Sequence, residues 1–314
     1  MGAALALASR GIGLATPNPS VGCVIVNEGR MVGRGWTQAG GRPHAEGMAL
    51  AQAGDAARGA TAYVSLEPCA HVSPRGPACA DSLIAAGVAR VVIAAHDPDP
   101  RTNGAGAARL RAAGIAVTNG VRAAEAEAGL AGFLIRLAHG RPHITLKLAV
   151  SLDGAIAMAD GRSQWITGER ARAAAHLERA RADLIVVGRG TWDADAPRLD
   201  VRLPGLESRA PRIGVVGRGD GLPDHVSHFP NLAALTADPA LRVLVEGGMG
   251  LAASLLTADL VDTLLLHRAP ILIGGGRALG DIGLAGLPGA HGRWRAEASV
   301  TLGADRIERF TRTR

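Results

Sequence analysis

Three side chains in the first third of the chain could hold a metal: His44, in Pro43-His44-Ala45-Glu46, and the cysteines Cys69 and Cys79, which close a predicted strand and open a predicted helix. One imidazole and two thiolates match a catalytic zinc site, which takes three protein ligands and keeps a fourth position for a water whose pKa falls to roughly 7. A carboxylate two residues beyond the histidine is not needed for coordination. Glu46 is spaced to take a proton from that water and deliver it to a leaving amine. The alternatives are a structural site closed by Cys23 as fourth ligand, or three buried cysteines without metal. Cys23 sits in the apolar run Val21-Gly22-Cys23-Val24-Ile25-Val26, where a cysteine is more often a small core residue.

His-x-Glu followed by Pro-Cys and a second Cys is the pattern of zinc deaminases, in which activated water attacks an amino-bearing ring carbon and ammonia leaves. In this chain the two cysteines stand further apart, in Pro68-Cys69 through Ala78-Cys79. The second half carries a different signal. A strand from Leu184 to Val187 runs into Gly188 and Gly190, and Glu246-Gly247-Gly248-Met249-Gly250 enters a helix whose N-terminus offers free N–H groups to a phosphate. Strand, glycine turn and helix suit a dinucleotide, but the GxGxxG fingerprint is absent, so this is not a Rossmann pattern. Lys147 is the only lysine in the chain and opens this half, which suggests a role that arginine does not fill.

The elements that must position these residues alternate short apolar strands with helices. Cys23 to Val26 and Met31 to Trp36 form a hairpin. His44 to Gln52, Ala78 to Ala86, Gly104 to Ala113 and Ala123 to Ala138 are helical; Ala62 to Leu66, Arg90 to Ala95 and Ile115 to Thr118 are extended. This predicts a three-layer α/β domain. His139-Gly140-Arg141-Pro142 breaks the pattern, and a second α/β domain begins with the strand His143 to Ser151, giving domains over 1–139 and 140–314. Its further strands are Asp183 to Val187, Arg212 to Val216, Arg242 to Glu246, Val261 to His267 and Ser299 to Arg309, with helices near Glu169 to Arg181 and Leu251 to Thr257; the Gly- and Pro-dense stretch from Leu203 to Pro230 is expected as surface loop.

Length and composition bound the function. At 314 residues with 47% hydrophobic and 20% charged, the chain is ordinary globular protein of two domains. No apolar run is long enough to span a bilayer, and three cysteines are too few for a disulfide framework, which points to a cytoplasmic protein without membrane partners. The net charge of +6 comes from arginines dispersed among acidic residues, and aromatics make up 3%. Neither a basic block nor a base-stacking platform is present, so nucleic acid is not an expected partner; an RNA-editing deaminase is the weaker alternative.

Taken together, Thr16-Pro17-Asn18-Pro19-Ser20-Val21-Gly22-Cys23-Val24, Pro43-His44-Ala45-Glu46, Leu66-Glu67-Pro68-Cys69-Ala70-His71 and Asp97-Pro98-Asp99-Pro100 resemble the bifunctional deaminase–reductases of riboflavin biosynthesis. The resemblance implies an N-terminal three-layer α/β/α domain similar to cytidine deaminases and a C-terminal α/β domain similar to dihydrofolate reductase. It implies zinc on His44, Cys69 and Cys79, with Glu46 as acid and base. Substrate would be held by Asn18 at the base, His71 at the pyrimidine or ribose, and Arg75 at the phosphate, which a guanidinium suits. The loop around Ser73-Pro74 is one residue longer than the family pattern, which leaves the register of Arg75 open.

The second half resembles the family's reductase domain through Lys147 to Gly154, Ser163-Gln164-Trp165-Ile166-Thr167-Gly168, Gly188-Arg189-Gly190-Thr191 and Val245-Glu246-Gly247-Gly248. By that resemblance Ala149, Trp165, Thr191, Asp195, Gly248, Met249, Gly250 and Ser254 hold NADPH. Ser163, Arg179, Leu199, Arg202 and Glu246 hold the phosphoribosyl pyrimidine. Core packing is the plainer reading of Trp165, and a solvated face that of Arg179 and Arg202. The implied protein is a homo-oligomer, dimer or tetramer. The family's paired aspartates are reduced here to Asp195-Ala196-Pro197, and the region from Arg212 to Glu246 is shorter than usual; both departures motivate the alternative of a deaminase with a catalytically degenerate second domain.

Overall fold

A computed structural model describes residues 1–71 and 73–314. The chain divides into two compact units, Met1–Arg141 and Pro142–Arg314.

The first unit is built on a five-stranded sheet of order β2-β1-β3-β4-β5, with β1 (Gly22–Asn27) antiparallel to both β2 (Arg30–Trp36) and β3 (Thr61–Leu66), and β4 (Arg90–Ala95) and β5 (Ala116–Thr118) parallel to β3. Alternation along β1 assigns its faces. Cys23 and Ile25 enter the main core with Ala45 and Ala49 of α2 (Ala45–Ala53), whereas Val24 packs with Ala4 and Leu7 of α1 (Gly2–Gly11). The helices α3 (Cys79–Ala85), α4 (Ala105–Ala112) and α5 (Ala123–His139) complete the two outer layers. The alanine-rich composition has a packing consequence here. A Cβ on Gly35 would stand 2.5 Å from the Ala45 carbonyl oxygen, so β2 and α2 meet nearly backbone to backbone, and α2 follows directly on His44 and carries Glu46 in its first turn.

The second unit holds an eight-stranded sheet of order β12-β13-β11-β6-β10-β7-β8-β9. Its parallel part comprises β6 (His143–Val150), β7 (Leu184–Gly188), β8 (Arg212–Val216), β9 (Val226–Phe229), β10 (Arg242–Glu246) and β11 (Thr263–Arg268); β12 (Trp294–Leu302) and β13 (Asp305–Arg312) extend it antiparallel. Leu184 and Val186 of β7 face a core shared with Leu255 and Leu256 of α9 (Met249–Thr257), and Ile185 and Val187 face the opposite core with Val215 and Leu199. The remaining helices are α6 (Glu169–Arg179), α7 (Arg189–Asp195) and α8 (Leu232–Ala237).

Several expectations change. The single strand predicted from Ser299 to Arg309 is two strands, because Gly303 takes a positive φ of 70° and turns the chain between β12 and β13. The stretch from Leu203 to Pro230 contains β9 as well as β8, since Val226 and Phe229 bury side chains in the sheet. The helix α7, which starts at Arg189 directly after β7, was not among the predicted elements. The helix α1 carries no strong apolar stripe beyond alanine and leucine, and lay outside the predicted elements.

Candidate active sites

In the first unit the chain brings His44, Cys69 and Cys79 together from three elements. His44 precedes α2, Cys69 follows β3, and Cys79 opens α3. His44 Nδ1 lies 3.2 Å from Cys79 Sγ and 3.7 Å from Cys69 Sγ, and the three ligand atoms are all within 4.8 Å of one another. One nitrogen and two sulfurs converging on one point fit a zinc ion with an open position. The Cys79 N–H donates to Cys69 Sγ at 3.3 Å, and pairing with Cys79 pushes the Cys69 thiol down to about 4 against its burial, with His44 acting in the same direction. Cys79, sharing the same proton, is pushed up. Asn18 Nδ2 donates to the Gly41 carbonyl at 2.9 Å and lies 3.1 Å from His44 Nε2, so Asn18 packs against the outer edge of the imidazole. Cys23 is fully buried on β1 and is not part of the cluster; its thiol is pushed well up by burial, as expected of a core residue.

Glu46 is buried at the same place, and burial pushes its carboxyl above the usual range, opposed by His44. A cavity of about 260 Å³ is lined by Asn18, His44, Glu46, Cys69, His71 and Arg75, so all the expected first-domain residues except the buried Cys79 face one space. His71 Nδ1 is buried without a hydrogen-bond partner. Arg75 donates through Nη1 to the Gly40 carbonyl at 3.0 Å.

The same cavity gathers residues to which the sequence assigned no role: Arg42, Glu67, Asp97, Asp99, Arg101 and Phe133. Glu67 accepts from the backbone N–H groups of Gly104 and Ala107 at 3.1 and 3.0 Å and pairs with His96 at 3.0 Å, which pins the loop after β4 to the start of α4. Asp97 accepts from the Asp99 N–H at 3.0 Å; its burial, reinforced by Asp99 and Glu67, pushes its carboxyl up to about 6. Asp99 is held low by Arg101, whose Nη2 approaches at 2.5 Å. The available signal was position: ligands collect at the carboxyl ends of parallel strands, and residues 96–101 follow β4.

In the second unit a cavity of about 930 Å³ opens at the carboxyl ends of β6, β7, β8 and β10. Every expected second-domain residue lines it. Ala149 and Lys147 come from β6, Glu246 from the end of β10, Thr191 and Asp195 from α7, and Gly248, Met249, Gly250 and Ser254 from the start of α9; Ser163, Trp165, Leu199 and Arg202 come from connecting segments. Trp165 is 66% exposed, which excludes a core role, and Arg172 stacks 4.9 Å from its ring centroid. Gly248, with φ of 80°, would place a Cβ 2.9 Å from Thr191 Oγ1, so only glycine lets the α9 entrance approach α7 this closely.

On the facing wall Arg179 grips Glu246 with two hydrogen bonds of 2.7 and 2.8 Å, and donates to the Asp200 carbonyl at 2.9 Å. Burial works to raise the Glu246 carboxyl, but Arg179 and Lys147 bring it below its ordinary value. The Lys147 ammonium is lowered by its burial, with Glu246 opposing. Arg202 lies beside His176, its N–H donating to His176 Nδ1 at 3.3 Å. Lys147 and His176 are among the lining groups to which the sequence assigned no role, and the lone lysine was the only sequence signal for either.

The two sites define a protein in which a zinc-dependent deaminase domain precedes a reductase domain. Residues 1–95 match the cytidine and deoxycytidylate deaminase zinc-binding region, and residues 142–231 and 225–306 match the RibD C-terminal domain. The chain belongs to the RibD family of riboflavin biosynthesis proteins. It is 41% identical to RibD of Escherichia coli K12 over 92% of this chain and 90% of that one, and 36% identical to RibD of Aquifex aeolicus over 98% and 96%. Among solved structures it resembles Acinetobacter baumannii RibD at a TM-score of 0.89 with 34% identity, covering 100% of this chain and 98% of that one. A Thermotoga maritima diaminohydroxyphosphoribosylaminopyrimidine deaminase/5-amino-6-(5-phosphoribosylamino)uracil reductase gives a TM-score of 0.89 at 29% identity, covering 100% and 97%.

Proposed function

We propose that the chain catalyses two consecutive steps of riboflavin biosynthesis: hydrolytic deamination of 2,5-diamino-6-(5-phosphoribosylamino)pyrimidin-4(3H)-one, then NADPH-dependent reduction of the ribosyl to the ribityl side chain, giving 5-amino-6-(5-phosphoribitylamino)uracil. The observation that carries it is that one unit brings His44, Cys69 and Cys79 together beside buried Glu46, while the other, separately, has a large cavity lined by Lys147, Glu246 and the α9 entrance.

His44, Cys69 and Cys79 would hold a zinc ion, which would supply the Lewis acidity that makes water nucleophilic near neutral pH. Glu46 takes the proton of the attacking water and passes it to the departing amine; its burial, which favours the protonated form, suits the second half of that task. Asn18 and His71 orient the base.

Bound NADPH would supply the hydride for the reduction. The α9 entrance, Thr191 and Asp195 seat the cofactor, with Trp165 and Ala149 alongside. Lys147, a half-buried ammonium whose acidity is raised by its surroundings, is suited to protonate the ribose ring oxygen as the ring opens, with Glu246, its neighbour across β6 and β10, opposing that shift. Arg179, Arg202, Ser163 and Leu199 hold the substrate against the nicotinamide, so the protein's work is largely positioning. The thiolate ligands fit a reducing, cytoplasmic setting. A homo-oligomer, dimer or tetramer, is part of the proposal and is supported by exposed Leu272 and Leu287 on the second unit.

The test supplies purified protein with the diaminopyrimidine phosphoribosylamine and NADPH and follows ammonia and NADPH absorbance together. Matched yields are expected. Ammonia without NADPH consumption would reduce the second unit to a degenerate reductase, and neither signal from folded, zinc-loaded protein would refute the substrate.

A further inference from the structure

The deaminase cavity is lined by three arginines, and they are not equivalent. Arg101 is bound through Nε and Nη2 to the Asp99 carboxylate, with distances from 2.5 to 3.1 Å, so its charge is already matched. Arg75, the residue to which the sequence resemblance gives the phosphate, is exposed and donates one Nη1 bond to the Gly40 carbonyl. Arg42 differs from both. It lies two residues before His44, it is half-buried, its Nε is sealed from solvent without a hydrogen-bond partner, and among the described residues it makes no ion pair. Its guanidinium lies against the loop that also carries Arg75: a Cβ on Gly76 would stand 3.0 Å from Arg42 Nη1. A cation with an orphaned, sheltered N–H beside a cavity is missing an anion.

We propose that Arg42 is a specificity-determining residue of the deaminase, which together with Arg75 clamps the phosphate of the substrate, Arg42 from the inner side and Arg75 from the solvent side. The assignment rests on the functional reading above. A guanidinium pair from two separate segments offers a planar fork to each side of a phosphate group, whereas Arg75 alone, with one N–H committed to Gly40, offers an exposed and screened contact. The chemistry recognised is a phosphomonoester on a ribose attached to an aminopyrimidine, and the clamp gives the deaminase its discrimination against the dephosphorylated nucleoside.

The experiment measures ammonia release by zinc-loaded full-length protein with the phosphorylated substrate and with its dephosphorylated counterpart, for the wild type, Arg42→Ala, Arg42→Lys and Arg75→Ala, with ribose 5-phosphate as competitive inhibitor. Arg42→Ala is expected to raise KM for the phosphorylated substrate by roughly 10- to 100-fold, in line with loss of hydrogen bonds to a charged group, with a much smaller change in kcat. The preference for the phosphorylated substrate should fall by the same factor, and inhibition by ribose 5-phosphate should weaken in parallel. Arg42→Lys, which keeps the charge but loses the fork, should recover only part of this. A variant with zinc content and fold retained, whose preference and inhibition match the wild type, overturns the role of Arg42 while leaving the deaminase reading intact. Failure of the wild type itself to release ammonia refutes that reading, and this assignment with it.

Discussion

Arg179 and Glu246 are paired in the wall of the second-unit cavity, guanidinium to carboxylate at 2.7 and 2.8 Å, and their side chains are only 13% and 12% exposed. Removing one member of such a pair strands the other charge in a poorly solvated place, so Arg179→Ala is expected to cost about 3 to 5 kcal/mol. Because Glu246 is held below its ordinary value, the stabilisation is present above the unfolded carboxylate pKa of about 4.3 and is lost as pH falls through the lower folded value. Chemical denaturation of wild type and variant at pH 7 and below pH 4 checks this; a gap that does not narrow in acid would show that the pair is not the source.

Asp97 predicts the opposite slope. With its carboxyl raised from 3.8 to about 6, the folded protein holds that proton more tightly than the unfolded chain. Its contribution therefore favours folding in acid and is lost as pH rises from about 4 to about 6, leaving a full penalty above that. Asp97→Asn, which still offers an oxygen to the Asp99 N–H, should be more stable than wild type at pH 8 and no more stable near pH 4. Thermal melts across that range would expose a pH-independent difference, which would assign the effect to packing.

Metal and acid–base roles separate by substitution. Cys79→Ala is expected to lose bound zinc and ammonia release together, whereas Glu46→Gln should keep zinc and lose ammonia release by roughly 10²- to 10⁴-fold, the range typical of a missing general acid–base. Metal analysis alongside ammonia assays checks both. Chelation should leave NADPH oxidation intact when the deaminated intermediate is supplied directly, because the second cavity contains none of the three ligands.

Gly248 predicts a cofactor-specific defect. A methyl group there meets Thr191 Oγ1 at 2.9 Å and must also accept φ of 80°, so Gly248→Ala should displace the α9 entrance from α7. The expected result is a KM for NADPH raised at least tenfold with deaminase activity retained. Steady-state titration of NADPH decides it, and an unchanged KM would remove this turn from the cofactor site.

The alternating strands and helices around each site were legible because each depends on neighbours in sequence, through apolar periodicity and turn residues. So was the cluster of His44, Cys69 and Cys79, residue types whose chemistry is narrow enough to be singled out without coordinates. Within the second unit, β9 and the β12–β13 turn were not legible. Their boundaries depend on which short apolar residues find a partner strand, and that is settled by pairing across the sheet.

The order of amino acids defines the chemistry available: one imidazole, two thiols, one adjacent carboxylate, one lysine, and glycine turns ahead of helices. Which charges already have partners is settled by the fold. Arg42, Arg75 and Arg101 are indistinguishable as letters, yet the fold gives Arg101 to Asp99, part of Arg75 to a backbone carbonyl, and leaves Arg42 with a sheltered N–H at the cavity wall. The same holds for Arg179, claimed by a carboxylate 67 positions away. Electrostatic partnership is a matter of a few ångströms and local solvation, and long-range folding alone sets both.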